Sequence, residues 1–142
     1  MDTVFVTNSV GETQAIAFDI ASKVKDGGVV GLFGDLGAGK TTFAQGIAKK
    51  LGVKGRVISP TFLIVRAYEL DDNRKFYHID LYRLGSKGDL RSIGLREIVS
   101  EPRNIVLIEW AEKAQHVLPE KRIEVHMEHE GEFQRKLRII RK

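Results

Sequence analysis

The sequence predicts one α/β domain, in which a mainly parallel central sheet is flanked by helices and extended by antiparallel hairpins. Two short, continuously apolar segments, 29–33 and 105–108, are typical of strands buried on both faces of a parallel sheet. The first of them leads through a glycine-rich turn into residues with helical spacing. Two further pairs of apolar segments, each joined by turn-forming residues, predict the hairpins.

Composition limits the class of protein. The 142 residues are 42% hydrophobic and 30% charged, which predicts one soluble, cytoplasmic domain over 1–142 and excludes a disordered chain. No apolar run approaches the roughly 20 residues that cross a bilayer, and the N-terminus lacks a signal-peptide pattern. The lack of cysteine excludes thiolate metal sites. The net charge of +4 permits contact with RNA, although no long run of lysines and arginines requires it.

The first elements follow in chain order. Val4–Val6 is an apolar run that predicts a strand, and the spacing of Ser9 and Glu12 predicts a capping box at the start of a helix. Apolar residues then recur at helical spacing as far as Val24, and the run 26–28 ends the helix.

The remaining elements are a second helix, two hairpins and the segments between them. The second helix begins at Lys40 and ends near Leu51, with Gly52 as its C-cap. The other elements are strands 61–70 and 75–81 around a turn at 71–74, a loop at 85–94, a weak helix at 95–99, the buried strand 105–108, and alternating strands 123–127 and 133–140 around a turn at 130–132.

The glycine-rich turn matches the Walker A pattern of P-loops, from Gly34 to Lys40 and Thr41. Its glycines let consecutive backbone N–H groups point at an anion, and the following helix adds the positive end of its dipole. Lys40 supplies a charge for the β- and γ-phosphates, and the Thr41 hydroxyl is placed to ligate Mg²⁺. These features predict an ATP and Mg²⁺ site. The other predicted phosphate contacts in this segment are Asp35, Gly37, Ala38, Gly39 and Thr42.

Such a site needs a further carboxylate, and two predicted strands end in one. Glu109 follows 105–108, where a Walker B acid belongs, and Asp80 ends another strand on the same face as His78. Together with Lys40 these two acids are the candidate catalytic residues, and Glu109 is also a candidate metal ligand. Each acid has a structural alternative, in which its carboxylate caps a nearby backbone N–H. His78 alone is more typical of a structural histidine.

Two further features lie outside the P-loop. Ser59-Pro60-Thr61-Phe62 follows the P-loop helix, where other P-loop proteins place a nucleotide-sensing segment, or it is an ordinary turn into a strand. Arg135 shares its strand parity with Phe133, Leu137 and Ile139, so its side chain is expected on the covered face. There it either reaches the nucleotide or snorkels outward at a sheet edge.

Four motifs, in this order and spacing, resemble the TsaE family, also called YjeE, over about residues 9 to 128. The P-loop motif is specific by itself. Each of the other three motifs is weak evidence for the family alone, but the four together in this order and spacing are specific. The four motifs are Gly34-Asp35-Leu36-Gly37-Ala38-Gly39-Lys40-Thr41-Thr42, Ser59-Pro60-Thr61-Phe62, His78-Ile79-Asp80-Leu81-Tyr82-Arg83 and Leu107-Ile108-Glu109-Trp110-Ala111-Glu112.

The resemblance implies a small bacterial P-loop ATPase that is needed to make threonylcarbamoyladenosine in transfer RNA, with TsaD and TsaB as its partners. It implies that Thr41 and Glu109 serve the magnesium site and that Asp80 belongs to the catalytic centre. It further implies a switch role for the Ser-Pro-Thr-Phe segment and a position near the nucleotide for Trp110. Glu12 falls where family members approach the nucleotide base.

The resulting hypothesis is an ATPase subunit that powers or resets the modifying complex. No arginine finger is evident, with Arg83 an untested candidate, so hydrolysis by the isolated chain is expected to be slow and stimulated by partners. Two alternatives stay open. A small-molecule kinase would need a basic lid, but 110–119 holds one lysine, Lys113. A nucleotide-dependent switch that docks on a partner or on RNA would not need hydrolysis.

Overall fold

The computed structural model describes residues 2–34, 39–53, 65–70, 72–82 and 93–142. Its strands are β1 (Asp2–Thr7), β2 (Gly28–Phe33), β3 (Val65–Glu69), β4 (Lys75–Asp80), β5 (Ile105–Glu109), β6 (Ile123–His129) and β7 (Arg135–Arg141). Its helices are α1 (Val10–Lys23), α2 (Lys40–Leu51), α3 (Leu95–Ser100) and a 3-10 helix (Ala111–Val117). None of these helices is both long enough and apolar enough to span a bilayer.

The seven described strands form one sheet in the order β1-β7-β6-β2-β5-β4-β3. The four strands β6, β2, β5 and β4 run parallel in its centre. Antiparallel pairing adds β7 and then β1 on one side and β3 on the other. The predicted α/β class, with a mainly parallel centre and antiparallel additions, is confirmed.

The central strand β2 is buried on both faces, as its unbroken apolar sequence predicts. Successive side chains of a strand point to opposite faces. Val30 and Leu32 therefore join the core under α1 and α2, whereas Val29 and Phe33 join the core under α3 and the 3-10 helix. Because helices cover both faces, the functional groups of this fold lie at an edge of the sheet.

Helix α1 begins at the predicted cap. The Ser9 hydroxyl accepts a hydrogen bond from the Glu12 N–H at 3.1 Å, and the Glu12 carboxylate accepts one from the Asn8 N–H at 2.6 Å. Helix α2 packs closely on α1, since a Cβ at Gly46 would lie only 2.9 Å from the Cβ of Ala17. These contacts fix the two helices that flank the glycine-rich turn.

The last hairpin differs from the prediction at the start of its second strand, which was predicted over 133–140. Strand β7 begins at Arg135, and the Phe133 side chain before it is 71% exposed. The Glu130 N–H donates to the Gln134 carbonyl at 3.1 Å and closes the turn. Phe133 therefore lies in the turn, outside the strand alternation, and the expectation that it shares a covered face with Leu137 and Ile139 is wrong. For those two residues the expectation is confirmed.

The hairpin of β3 and β4 is confirmed over the part that the structure describes, with Val65 opposite Ile79 and Glu69 opposite Lys75. Residues 61–64 of the predicted strand lie outside the described ranges. So do residues 85–92 of the predicted loop.

Glu124 is a buried carboxylate on β6. It accepts a hydrogen bond from the Arg122 Nε at 2.7 Å and lies 2.9 Å from the His126 Nε2. Burial raises the pKa of Glu124, but the hydrogen bonds with His126 and Arg122 outweigh it, so the pKa lies below its usual value. The native state therefore favours the ionised form of Glu124.

We expect Glu124→Gln to lower the free energy of unfolding by about 2 kcal/mol at pH 7, because it removes a charged hydrogen bond to Arg122. A carboxyl with a depressed pKa stabilises the fold above its unfolded pKa of about 4.3. That stabilisation is lost as the pH falls through the lower, folded value. Urea unfolding of wild type and variant between pH 7 and pH 3 measures the difference, which should shrink below about pH 4.3.

The matched control is Glu128→Gln, which lies four residues further along β6 and is exposed. It should change the free energy of unfolding by less than about 0.5 kcal/mol at every pH. A stability gap for Glu124→Gln that does not change with pH would contradict a role for its ionised form.

Candidate nucleotide site

The glycine-rich turn leaves β2 at the carboxyl edge of the parallel strands. Gly34 has φ +142°, and a Cβ at this position would lie 2.4 Å from the Met127 carbonyl oxygen. Only glycine fits between β2 and β6 here, both for its backbone angle and for the close approach. Asp35, Gly37 and Ala38 lie outside the described residues, so their phosphate contacts stay predictions.

Helix α2 begins where the turn ends. Its N-cap is Gly39, with φ +99°, and Lys40, Thr41 and Thr42 follow in the first turn. The N–H groups of a first turn lack acceptors within the helix, and the helix dipole places positive charge there. None of the first-turn residues is acidic. This end of α2 can therefore receive a phosphate.

Lys40 is a buried cation at this end of α2. The residue is 5% exposed, and its Nζ donates to the Gly34 carbonyl oxygen. The same Nζ lies 3.3 Å from the centroid of the Trp110 ring, a cation–π contact. The charge is thus held over the turn, where an anion would come within its reach.

Glu109 ends β5, the strand next to β2, and is 4% exposed. Its Oε2 lies 2.6 Å from the His78 Nε2. The parallel register pairs His78 with Leu107, two residues before Glu109, so the two side chains share a face of the sheet. His78 therefore orients the Glu109 carboxylate, which gives this histidine a place in the site.

Asp80 lies opposite Glu109 in the register of β4 and β5. The two carboxylates thus come from neighbouring strand ends at the same edge. One Asp80 oxygen accepts a hydrogen bond from the Tyr82 N–H at 3.0 Å. The backbone cap that the sequence left as an alternative is therefore present at Asp80. The second Asp80 oxygen is the one that a catalytic role would use.

Trp110 follows Glu109 in a left-handed backbone conformation, with φ +59°. Such a φ is uncommon in a residue other than glycine and points to a local functional constraint. The Trp110 ring lies 5.3 Å from the Tyr82 ring, and Lys113 Nζ lies 5.9 Å from the centroids of both. Lys113 also donates to the Tyr82 carbonyl at 2.6 Å. This cluster holds the Trp110 ring against Lys40.

A cavity of about 100 Å³ lies beside the start of α2. Its lining residues are Ser9, Val10, Thr13, Gly39, Thr42, Glu132, Phe133 and Arg135. The Arg135 Nε would lie 3.6 Å from a Cβ at Gly39, so the Arg135 side chain lies beside the start of α2, and its contact with the nucleotide stays a prediction. The Glu12 carboxylate caps the start of α1 by accepting from the Asn8 N–H, and its place near the nucleotide base stays a prediction.

Sequence reasoning missed several residues of this site. The Gly34 N–H approaches the Glu112 Oε2 at 3.4 Å, so the 3-10 helix is tied to the turn. Glu112 and Tyr82 both belong to motifs quoted above, and that membership was the available signal for them. Val10 and Phe133 gave no signal, because they come together only where the turn between β6 and β7 lies beside the start of α1.

The donor set fits a magnesium nucleotide. Mg²⁺ is usually held by one or two protein ligands together with substrate phosphates and water. Within the described ranges no group of three or more acidic or histidine side chains could hold a metal by itself. The residues present are the Thr41 hydroxyl, at the start of α2, and the buried Glu109 carboxylate, at the end of the adjacent strand.

Known proteins resemble this chain over most of its length. Residues 7–137 match the family model described as "Threonylcarbamoyl adenosine biosynthesis protein TsaE". The "tRNA threonylcarbamoyladenosine biosynthesis protein TsaE" of Bacillus subtilis is 39% identical over 126 residues, which cover 89% of this chain and 77% of the relative. The protein of the same name from Haemophilus influenzae is 43% identical over 101 residues, covering 71% and 63%.

A solved structure agrees with these sequence matches. The crystal structure of YdiB from Bacillus subtilis superposes with a TM-score of 0.73 at 33% identity, covering 98% of this chain and 84% of YdiB. The shared fold and the family match over almost the whole chain lead to one conclusion. The chain belongs to the TsaE family.

Proposed function

We propose that the chain binds ATP with Mg²⁺ at the start of α2 and hydrolyses it. The observation that carries the proposal is that a buried lysine at the start of α2 and a buried carboxylate held by His78 at the end of the neighbouring strand β5 lie at the same edge of the sheet. Lys40 and Glu109 are 5% and 4% exposed. Buried charged side chains are costly and are common at functional sites, so two of them beside a turn with the Walker A pattern favour catalysis.

Each residue has a separate task in this proposal. Lys40 leaves the Trp110 ring and binds the β- and γ-phosphates, while the N–H groups from Gly39 onward donate hydrogen bonds to the phosphate oxygens. Thr41 and Glu109 would hold Mg²⁺, which would offset the charge of the phosphates. Glu109 and Asp80 are the candidates for orienting the attacking water.

The base and ribose are proposed to lie along the cavity beside Gly39. The exposed side chains of Val10 and Phe133 give it an apolar rim, and Thr13 and Arg135 give it polar groups. Glu12 caps the start of α1, which is the end of that helix beside this cavity. Asp35, Gly37, Ala38 and Thr42 complete the proposed nucleotide contacts.

We further propose that ATP turnover powers or resets a complex that makes threonylcarbamoyladenosine in transfer RNA. The family description and the names of the relatives support this process. TsaD-type and TsaB-type proteins are the proposed partners. The chain contacts the transfer RNA either directly or through these partner proteins.

The test is formation of threonylcarbamoyladenosine in transfer RNA by the TsaB- and TsaD-type proteins of the same organism. The wild-type chain should raise the number of modified transfer RNAs made per complex, and Glu109→Gln should not. Equal yields with Glu109→Gln would reject the hydrolytic role and favour a binding switch. Equal yields in reactions that lack this chain would reject both the hydrolytic role and the binding switch.

Nucleotide binding should change the fluorescence of Trp110, which is the single tryptophan of the chain. The ammonium that now lies over its ring moves to the phosphates, so the field at the indole changes. A titration of the wild-type chain with MgATP, followed at the tryptophan emission band, measures this change. In Lys40→Ala the emission should not respond. Binding detected by calorimetry without any change of wild-type emission would contradict the proposed movement of Lys40.

A further inference from the structure

A second, larger cavity lies at the opposite edge of the sheet from the glycine-rich turn. Its volume is about 460 Å³. It lies between the first residues of the parallel strands, where Gly28 begins β2, Asn104 precedes β5 and Ile123 begins β6. Ligand cavities in proteins usually measure about 300–1,000 Å³, so its size suits a small organic molecule.

Basic side chains dominate the lining of this cavity. The cationic residues that line it are Lys23, Lys121, Arg122, Arg141 and Lys142, against one acidic residue, Glu101. Two more acids lie behind them, since Asp19 is 3.1 Å from Lys23 and Glu124 is 2.7 Å from Arg122. Even with all three acids counted, the cations exceed the anions by two. The cavity therefore attracts anions.

Two helix ends act against this attraction, but weakly. Helix α1 ends at Lys23 and α3 ends at Ser100, both in the lining. The carboxyl end of a helix carries about half a negative elementary charge. Two such partial charges amount to about one negative charge, which is less than the net excess of two positive charges, so the net field still favours an anion.

The cavity also has an apolar floor. Val24, Val29 and Ile123 line it and are nearly inaccessible to solvent. Gly27 gives the wall a fixed shape, because a Cβ there would lie 2.0 Å from the Pro102 carbonyl oxygen. A concave site with basic groups at its rim and an apolar floor suits an anionic group attached to a small carbon skeleton. The phosphate backbone of RNA is more typically bound on an open basic surface.

We propose that this cavity binds a small phosphorylated organic molecule, with the phosphate at Lys121, Arg122 and Arg141 and the carbon skeleton over the valine floor. The site is separate from the P-loop, since it lies at the other end of the same parallel strands. It is also independent of the proposed ATPase activity. Arg122 is already oriented for this role, because its Nη1 donates to the Pro119 carbonyl at 2.8 Å and its Nε to Glu124.

The test is a titration of the ¹⁵N-labelled chain with ribose 5-phosphate, followed by amide chemical shifts. Saturable shifts should centre on Gly27, Gly28, Asn104 and Ile123, and neutral ribose should not produce them. Lys121→Glu reverses an exposed charge of the lining and should weaken binding about tenfold. The matched control, Lys50→Glu, makes the same charge change on the exposed end of α2 and should weaken it less than about twofold.

Four results would overturn the proposal. One is the absence of saturable shifts at these residues up to about 10 mM ribose 5-phosphate. Another is an equal response to ribose, which would mean that the phosphate is not recognised. The third is a response to a single-stranded RNA hexamer but not to ribose 5-phosphate, which would make this edge an RNA contact. Shifts confined to Gly39 and Lys40 would likewise count against it, as binding at the P-loop only.

Discussion

Lys40→Ala should lower the affinity for MgATP by about two to three orders of magnitude. Opposite charges about 4 Å apart contribute about 4 kcal/mol at an effective dielectric constant of about 20. The start of α2, which remains in the variant, contributes only about 0.3–2 kcal/mol. The lysine should therefore dominate phosphate binding. Calorimetric titration of wild type and variant with MgATP measures the difference.

The variant should still fold. Lys40 is buried, and its replacement removes a charge from the interior, so the thermal midpoint should not fall sharply. The matched control is Lys49→Ala, an exposed lysine in the last turn of the same helix. Its affinity for MgATP should match wild type. A Lys40→Ala affinity within about threefold of wild type would contradict the role of Lys40, since that is far less than one lost charge pair.

Glu109→Gln should lower the rate of ATP hydrolysis by about 10²–10⁴-fold, the usual contribution of a positioned acid or base. Glutamine keeps the shape of the side chain and an oxygen that can accept from His78, but it loses the charge. Binding of the nucleotide without Mg²⁺ should be nearly unchanged, because Lys40 and the start of α2 remain. Steady-state hydrolysis and equilibrium binding, measured on the same preparation, separate the two effects.

Two further variants test which of the two acids orients the attacking water. Asp80→Asn should cost less turnover than Glu109→Gln, because one Asp80 oxygen is already engaged by the Tyr82 N–H. Glu120→Gln, an exposed acid after the 3-10 helix, should leave turnover unchanged. If Asp80→Asn proves the more damaging variant, Asp80 and not Glu109 orients the water. If neither variant loses turnover, both acids are structural.

Local sequence patterns predicted the elements that carry the phosphate site. An unbroken apolar strand, a glycine-rich turn and a helix follow one another, and each is encoded by adjacent residues. The start of α2 at Lys40 and the end of β5 at Glu109 are therefore close to their predicted positions. Gly52 caps α2 in the left-handed conformation, as the glycine rule predicts.

Contacts across the sheet could not be predicted in the same way. The pairing of His78 with Glu109 depends on the register between β4 and β5, which no pattern within either strand specifies. The position of Trp110 over Lys40 requires a left-handed backbone at a tryptophan, against the usual preference. Phe133 was misplaced because the alternation of β7 was extended backward into the turn before it. The hydrogen bond from the Glu130 N–H to the Gln134 carbonyl closes that turn.

The decisive measurement is ATP hydrolysis by the chain alone and with the proposed TsaB- and TsaD-type partners. We expect slow turnover alone and a clear rise with both partners, because an arginine finger or an equivalent group from outside the site contributes about 10³–10⁵ in rate. The rise should disappear in Lys40→Ala and in Glu109→Gln. Equal rates with and without the partners would contradict an ATPase that works within the modifying complex.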